Sequence, residues 1–293
     1  MPHDGPLRPA IVAALALVVG CNRSLPELVG DERAAVVAAA LIASEPSAGC
    51  RAGALPAVDG ARRRITVAGE QRSYILDAPA APGDRPLPVV LSFHGFRGSA
   101  WRHRWWTGWG RLGRDEGFVT LHPEGHEGVE LLQTTGRGWD IRAGDTRDAA
   151  FVAALLDAVE GERCVDRRRV YATGMSNGGF FTNLLGCVLS ERLAAIAPVA
   201  GALPLRRCAP SRPIPVLLLH GSGDRVVSPE MVRAARDWWT GVDGCGAGAE
   251  RDGCTRYRGC AADVVYCEGP QGHIWPSDAT ARIWRFFQAH PRR

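Results

Sequence analysis

The sequence contains no lysine, so all 35 of its basic residues are arginines. The arginines are scattered along the chain, and the longest runs, at 62–64 and 167–169, hold three residues each. With a net charge of only +4, the chain offers no basic tract of the kind that binds nucleic acid. We therefore expect no nucleic-acid partner and attribute the arginine bias to GC-rich coding.

Several other patterns are absent. No two cysteines stand at C-x-x-C spacing, which gives no support to a thioredoxin-type redox pair or a zinc ribbon. No internal repeat is visible, and no segment approaches the ~18 continuous apolar residues of a membrane-spanning helix. What the chain does have is 293 residues, 46% of them apolar and 23% charged. This composition excludes a disordered or collagen-like chain and suffices for one large α/β domain.

The N-terminal residues resemble an export signal. Arg8 precedes a short apolar stretch at 9–19, and Gly20 and Cys21 follow. The stretch is too short to cross a bilayer as a mature helix, but it suits the core of a signal peptide. The Val-Val-Gly-Cys run at 18–21 resembles a bacterial lipobox, in which Cys21 is lipidated and becomes the new N-terminus. The alternative is an ordinary signal peptide with an incidental cysteine. Either way we expect a bacterial protein that is secreted or lipid-anchored on the cell envelope.

Eight further cysteines make an even number, which suits up to four disulfides in an oxidising compartment. They are Cys50, Cys164, Cys187, Cys208, Cys245, Cys254, Cys260 and Cys267. We expect Cys187 to pair with Cys208 and Cys50 to pair with Cys164. The last four are expected to pair among themselves, either first with third and second with fourth or in a nested arrangement.

The order of apolar patterns predicts the fold class. Residues 1–21 are assigned to the signal peptide, 22–49 to a flexible tether with a short helix as an option over 31–43, and 50–293 to the catalytic domain. Continuous apolar runs, typical of strands buried on both faces, stand at 88–93, 118–121, 170–173, 194–199 and 215–219, with a last strand at 264–266. Helical patterns lie between or after them, at 148–159, 177–189, 229–239 and 278–288. The alternation predicts a mostly parallel, doubly wound sheet with helices on both faces.

Ser176 is the candidate nucleophile. It lies in the sequence Gly-Met-Ser-Asn-Gly-Gly, directly after one predicted strand and at the start of a predicted helix. This is the G-x-S-x-G pattern in the strand–turn–helix context of a nucleophile elbow. The helix N-terminus favours the negative charge that develops during attack. The alternative is a plain strand–helix turn with a capping serine.

Asp224 and His273 complete a candidate triad. Asp224 follows the strand at 215–219, and His273 lies on a glycine-rich loop after the last strand. Ligands gather at this edge of a parallel sheet, and the order serine, acid, histidine is that of α/β-hydrolases. We expect His273 to act as the base and Asp224 to orient it. His94 and His220 stand at strand ends, where we expect them to shape loops.

Attack on an ester produces an oxyanion, which needs preorganised hydrogen-bond donors. The expected donors are the backbone N–H groups of Asn177, which follows the nucleophile, and Phe96, in the loop after the strand at 88–93. A plain loop there is the alternative.

The segment 101–109 follows this loop and is rich in tryptophan. Trp105 and Trp106, together with Trp275 after His273, are the expected substrate contacts, because aromatic rings stack on a planar acid or a sugar face. The alternative is that the tryptophans of 101–109 cover the core.

On these residues, the chain resembles the secreted esterase family that includes polyhydroxybutyrate depolymerases, feruloyl esterases and acetyl xylan esterases. The resemblance covers roughly residues 50–290 in family order, and the matching segments include PVVLSFHGFRGSA, CVDRRRVYATGMSNGGFFTNLLGC, LLLHGSGDRVV and GPQGHIWP. It implies the α/β-hydrolase fold and the triad already placed on Ser176, Asp224 and His273.

We therefore expect a serine esterase that hydrolyses carboxylic esters through an acyl-enzyme, without a metal or an organic cofactor. The expected substrates are feruloyl or acetyl esters of polysaccharides, or hydroxyacid esters of the polyhydroxybutyrate type, including polymers. A membrane is expected as a partner only through a lipid anchor. The alternatives are a peptidase or acyltransferase on the same fold, and a non-catalytic carbohydrate-binding protein.

Overall fold

The computed structural model describes residues 30–80, 85–131, 133–142, 147–203 and 208–293. The predicted signal peptide with Cys21 and the first part of the predicted tether lie outside the described residues. Among the residues that are described, no helix combines the length and apolar character that a membrane span requires.

Strands and helices alternate along the described chain. The strands are β1 (Val58–Val67), β2 (Glu70–Ala78), β3 (Leu87–Phe93), β4 (Val119–Pro123), β5 (His126–Leu131), β6 (Thr134–Gly138), β7 (Val165–Met175), β8 (Ala195–Val199), β9 (Val216–Gly221), β10 (Gly248–Arg251), β11 (Cys254–Tyr257) and β12 (Val264–Gly269). The α-helices are α1 (Gly30–Ala40), α2 (Ala100–Thr107), α3 (Trp109–Glu116), α4 (Arg147–Glu162), α5 (Asn177–Val188), α6 (Pro229–Val242) and α7 (Ala279–Ala289), and a 3₁₀ turn spans Ala48–Ala52.

One large sheet organises the domain. Its strand order is β1-β2-β4-β3-β7-β8-β9-β12-β11-β10. The central strands from β4 to β12 run parallel, and the outer pairs β1–β2 and β11–β10 are antiparallel. β5 and β6 form a separate antiparallel hairpin. The predicted site residues follow β3, β7, β9 and β12. Because these strands are parallel, their carboxyl ends meet at one edge of the sheet.

The central strands contribute side chains to two hydrophobic cores. In β3, Val89 and Leu91 lie in a core with residues of α4, α5 and α6, whereas Val90 lies in a core with residues of α3 and α7. Successive side chains of a strand point to opposite faces, so the two cores lie on the two sides of the sheet. Helices on both faces explain why the central strands contain long apolar runs. The predicted doubly wound architecture is confirmed.

Four disulfides close the chain on itself, and the predicted pairings are confirmed. They join Cys50 to Cys164, Cys187 to Cys208, Cys245 to Cys260 and Cys254 to Cys267. The last four cysteines thus pair in the interleaved arrangement and not in the nested one. β11 and β12 explain this choice, because Cys254 and Cys267 face each other as register partners.

The described part of the predicted tether carries regular structure. Helix α1 lies against α7, and the chain that follows is held by long-range hydrogen bonds. The Glu45 N–H donates to Asp166 Oδ1 at 2.9 Å, and the Ser47 hydroxyl donates to the Arg163 carbonyl at 2.7 Å. These partners lie more than a hundred residues away in sequence, so local composition does not reveal them. The domain boundary at residue 50 stays a prediction.

Two helices also form where the apolar pattern predicted no element. Ser99 caps α2 by accepting a hydrogen bond from the Arg102 N–H, and Gly108 separates α2 from α3 with a left-handed backbone at φ 71°. Together these helices place the tryptophan-rich segment beside the carboxyl end of β3.

Candidate active site

Ser176 occupies the sharp turn between β7 and α5. Its backbone angles are φ 56° and ψ −124°, a conformation that an L-residue rarely adopts. The flanking glycines make the turn sterically feasible: a Cβ atom at Gly178 would lie 2.3 Å from the Phe93 carbonyl oxygen. A strained residue retained at a tight strand–helix turn is typical of a functional site.

Asp224 and His273 are joined by a short hydrogen bond. His273 Nδ1 lies 2.7 Å from Asp224 Oδ2, and Asp224 Oδ1 accepts the N–H groups of Val226 and Val227 at 2.8 and 2.9 Å. Burial of the Asp224 carboxyl opposes its ionisation, but these hydrogen bonds outweigh that effect and hold its pKa below its ordinary value. The ionised carboxylate keeps the proton of neutral His273 on Nδ1, which leaves Nε2 free to accept a proton.

The loops that carry Asp224 and His273 are bonded to each other. The Gly223 N–H donates to the Gln271 carbonyl at 3.1 Å, and the Ser222 N–H donates to the Gly269 carbonyl at 2.7 Å. His220 is buried behind this junction, with Nδ1 3.9 Å from Asp224 Oδ2. Burial lowers the pKa of His220, and His220 is not among the residues that line the cavity with Ser176.

Ser176 and His273 open into one cavity of about 400 Å³. Phe96, Trp105 and Trp106 also line it. The two tryptophans are 78% and 49% exposed, which is unusual for such large apolar side chains and leaves their surface available to a ligand. The cavity thus combines a hydroxyl, an imidazole and exposed aromatic rings.

The loop after β3 passes directly beside Ser176. A Cβ atom at Gly95 would lie 3.4 Å from the Ser176 Cβ, and the next residue, Phe96, lines the same cavity as Ser176. The Asn177 N–H is at the first position of α5 and has no helical carbonyl one turn earlier to bond. Both expected oxyanion donors therefore lie beside the serine, and their role stays a prediction.

The side chain of Asn177 has a second function that the sequence did not indicate. Its Oδ1 accepts the Trp139 N–H at 2.8 Å, and its Nδ2 donates to the Trp139 carbonyl at 3.0 Å. The Trp139 indole N–H then donates to the His94 carbonyl at 2.8 Å. This chain of bonds ties the start of α5 to the loop that carries Phe96, so Asn177 is a positioning residue as well as a candidate donor.

His94 shapes the same loop, as expected from its position at the end of β3. Its Nε2 accepts the Gly125 N–H at 2.9 Å. The other ring nitrogen, Nδ1, therefore carries the proton and donates to the Gly95 carbonyl at 2.8 Å. Both ring nitrogens are thus engaged with the backbone, which excludes His94 as the base for Ser176 in this arrangement.

The other two tryptophans of the segment 101–109, and the predicted contact Trp275, are placed differently. Trp109 is fully buried in the core shared with α7, whereas Trp101 is 52% exposed with the Arg104 guanidinium 5.4 Å from its ring centre. Trp275 does not line the cavity; it is 6% exposed and its indole N–H donates to Thr280 Oγ1 at 3.0 Å. Trp275 follows His273 by two residues, so its burial anchors the loop that carries the histidine. The sequence had instead predicted that Trp275 contacts the substrate.

Comparison with known proteins agrees with this geometry. Residues 72–204, which hold the loop after β3 and the turn at Ser176, match the model of the family described as esterase PHB depolymerase. The resemblance to that esterase family is confirmed. Asp224 and His273 lie beyond the stretch that the family model matches, so their assignment depends on the geometry given above.

Curated relatives are named as esterases, and a solved structure shares the fold. The chain is 32% identical over 145 residues to a bifunctional acetylxylan esterase/xylanase of Neocallimastix patriciarum, and 30% identical over 166 residues to feruloyl esterase B of Piromyces equi. These stretches cover 50% and 53% of the chain, but the chain spans only 20% and 30% of the two relatives. The acetyl xylan esterase from Aspergillus awamori superimposes with a TM-score of 0.60 at 15% identity, over 78% of this chain and 100% of that one. This likeness confirms the α/β-hydrolase fold.

Proposed function

We propose that this protein is a serine esterase that hydrolyses carboxylic esters. One observation carries the proposal: a strained serine turn and a histidine bonded to a buried carboxylate open into the same cavity. The family resemblance supports it, because the relatives named above are called esterases. No metal or organic cofactor has a role in the mechanism.

The reaction follows from the roles of the three side chains. Ser176 Oγ attacks the ester carbonyl carbon while His273 Nε2 takes the hydroxyl proton. The oxyanion of the tetrahedral intermediate accepts hydrogen bonds from the backbone N–H groups of Phe96 and Asn177. The intermediate collapses as the C–O bond to the alcohol breaks, and His273 returns the proton to the leaving oxygen. Water then attacks the acyl-enzyme by the same steps and releases the acid.

The substrate is proposed to be an ester of a small or aromatic acid with a sugar or a hydroxyacid. Trp105 and Trp106 present exposed rings at the cavity, and such rings stack on planar acids and sugar faces. Between Asp224 and His273 the chain forms α6 and three short strands, with no long apolar lid of the kind that covers a lipid-binding site. Feruloyl and acetyl esters, the substrates in the names of the relatives, fit this description.

The Ser176→Ala variant tests the proposal. Wild-type protein should react with a fluorophosphonate and hydrolyse members of a panel of methyl ferulate, acetylated xylan, hydroxybutyrate oligomers and short-chain nitrophenyl esters. The variant should lose labelling and several orders of magnitude in kcat at an unchanged melting temperature. Ser211→Ala, which replaces an exposed serine that does not line the cavity, is the matched control. A Ser176→Ala variant with more than about a tenth of wild-type activity would reject the nucleophile, and faster hydrolysis of matched amides than esters would favour a peptidase.

We propose that the protein is exported and that Cys21 anchors it to the cell envelope. The four disulfides support an oxidising compartment. A single acyl chain binds membranes only marginally, so a stable anchor requires at least a diacyl modification. Intact-mass analysis should find a mature chain that begins at a lipidated Cys21; an unmodified N-terminus downstream of that position would exclude the anchor.

A further inference from the structure

The charge of the active-site cavity is of one sign. Two residues with a permanent charge line it, Arg97 and Arg102, and no aspartate or glutamate is among its described lining residues. An excess of positive charge in a recess attracts anions, because low-dielectric walls concentrate the field. Two arginines at one cavity therefore raise the question of what they bind.

Arg97 is held at the cavity at the expense of backbone strain. Its φ is +57°, in the left-handed region that favours glycine. Its N–H donates to the Arg137 carbonyl at 2.7 Å, and its Nη2 donates to Thr134 Oγ1 and the Thr135 carbonyl at 2.5 and 3.1 Å. All these partners are uncharged, so the guanidinium is fixed to the β5–β6 hairpin, and no carboxylate of the described residues pairs with it. Strain that is retained beside a reactive group indicates a functional constraint.

Arg102 lies in the first turn of α2, just before Trp105 and Trp106. Its side chain is exposed, and the described residues provide no carboxylate within ion-pair distance of it. Its neighbour on the same helix, Arg104, shows the contrast: it pairs with the buried Asp77 at 2.7 Å, away from the cavity. Arg104 of α2 thus forms a structural ion pair, whereas Arg102 of the same helix lines the cavity.

We infer that the preferred substrate carries a carboxylate in addition to the ester bond, and that Arg97 and Arg102 bind this carboxylate. The inference rests on the proposed function and narrows its substrate class. Guanidinium groups form charge-assisted hydrogen bonds with carboxylates, and Arg97 is already oriented, so little side-chain freedom is lost on binding. The exposed tryptophans beside Arg102 contact the body of the same substrate. The carboxylate belongs to the acid or to the alcohol, and the experiment distinguishes the two.

The test compares esters of one shape that differ by one charge. For the acid side, the pair is methyl 4-carboxycinnamate and methyl 4-carbamoylcinnamate. For the alcohol side, it is carboxymethyl ferulate and carbamoylmethyl ferulate. The quantity measured is the ratio of kcat/KM for the charged ester to kcat/KM for the neutral one. Intrinsic reactivity of the esters cancels when this ratio is compared between wild-type protein and variants.

The variants are Arg102→Gln, Arg97→Gln and the double replacement. The control is Arg111→Gln, which removes one positive charge from an exposed position on α3 that does not line the cavity. In at least one pair, the ratio should fall about fivefold in the double variant and remain within twofold of wild type in the control. The wild-type ratio should also decrease as salt rises from about 0.02 to 0.5 M, because screening weakens exposed ion pairs.

Three outcomes decide the matter. The inference is overturned if, for both pairs of esters, the kcat/KM ratio is the same in wild type and in the double variant. This includes the case in which the charged and the neutral ester slow equally, as they would if the arginines acted on the oxyanion. If the ratio is also unchanged in Arg102→Gln alone, and the melting temperature of that variant equals that of wild type, misfolding does not explain the refuting result. If wild-type protein fails to react with a fluorophosphonate, the proposed function falls and takes this inference with it.

Discussion

Replacing Asp224 with asparagine tests the triad with the least change in shape. In the wild type, one carboxylate oxygen accepts the N–H of His273 at 2.7 Å and the other accepts the amides of Val226 and Val227 at 2.8 and 2.9 Å. The oxygen of asparagine can keep the two amide bonds, which leaves its NH₂ group facing His273 Nδ1. This donor stabilises the tautomer with the proton on Nε2, which cannot accept the proton of Ser176.

The loss of the correct tautomer should lower kcat by about 10⁴-fold, a magnitude known from serine-protease triads and equal to roughly 5.4 kcal/mol of activation free energy. The assay is hydrolysis of 4-nitrophenyl acetate at pH 7.5, with the melting temperature measured in parallel. Asp237→Asn removes a carboxylate that is 66% exposed on α6 and serves as the control. An Asp224→Asn enzyme within tenfold of wild-type kcat would refute the tautomer argument, because the hydrogen bond would then be dispensable.

Three further predictions concern the exposed tryptophans, Asn177 and the buried carboxyl group of Asp243. Trp105→Ala and Trp106→Ala should lower kcat/KM for methyl ferulate about fivefold and leave methyl acetate nearly unchanged; an equal effect on both esters would contradict stacking. Asn177→Ala should lower kcat roughly tenfold with little change in KM, because Trp139, whose indole bonds the His94 carbonyl before Phe96, loses its two hydrogen bonds to the start of α5; a change confined to the melting temperature would reject the positioning role. Burial raises the pKa of Asp243 to about 6, and no described residue hydrogen-bonds its carboxylate oxygens. Ionisation therefore costs the folded state about 3 kcal/mol above pH 6 and nothing below pH ~4, so Asp243→Asn should raise the melting temperature at pH 7.5 and not at pH 4; equal gains at both would contradict it.

Features with a local signature could be predicted from the sequence. The central strands, such as Leu87–Phe93, are mostly apolar because helices cover both faces of the sheet, and that burial leaves its pattern in consecutive residues. The turn at Ser176 likewise needs glycines at fixed offsets from the serine, since a Cβ atom at Gly178 would meet the backbone of β3. The order serine, acid, histidine along the chain also predicted that Asp224 and His273 lie on the loops after later strands.

Features built from distant residues could not be predicted in this way. The hairpin β5–β6 is short and polar, and its importance becomes visible only when Arg97 is seen bonded to Thr134 and to the Arg137 carbonyl. The bonds between Asn177 and Trp139 join residues 38 positions apart and leave no periodic trace in the sequence. For the same reason, the sequence could not separate tryptophans that line the cavity from those that are buried.

The sequence by itself determined the fold class and the three side chains of the candidate triad, because strand burial and the nucleophile turn depend on neighbouring residues. The tertiary structure decided which residues line the cavity at the serine and which are buried. Trp105, Trp106, Arg97 and Arg102 line the cavity, whereas Trp109 and Trp275 are buried in the core. The physical reason is that a cavity is formed by several loops at once. Its charge and shape depend on how helices α2 and α3 and the hairpin lie against the sheet, and these contacts are long-range.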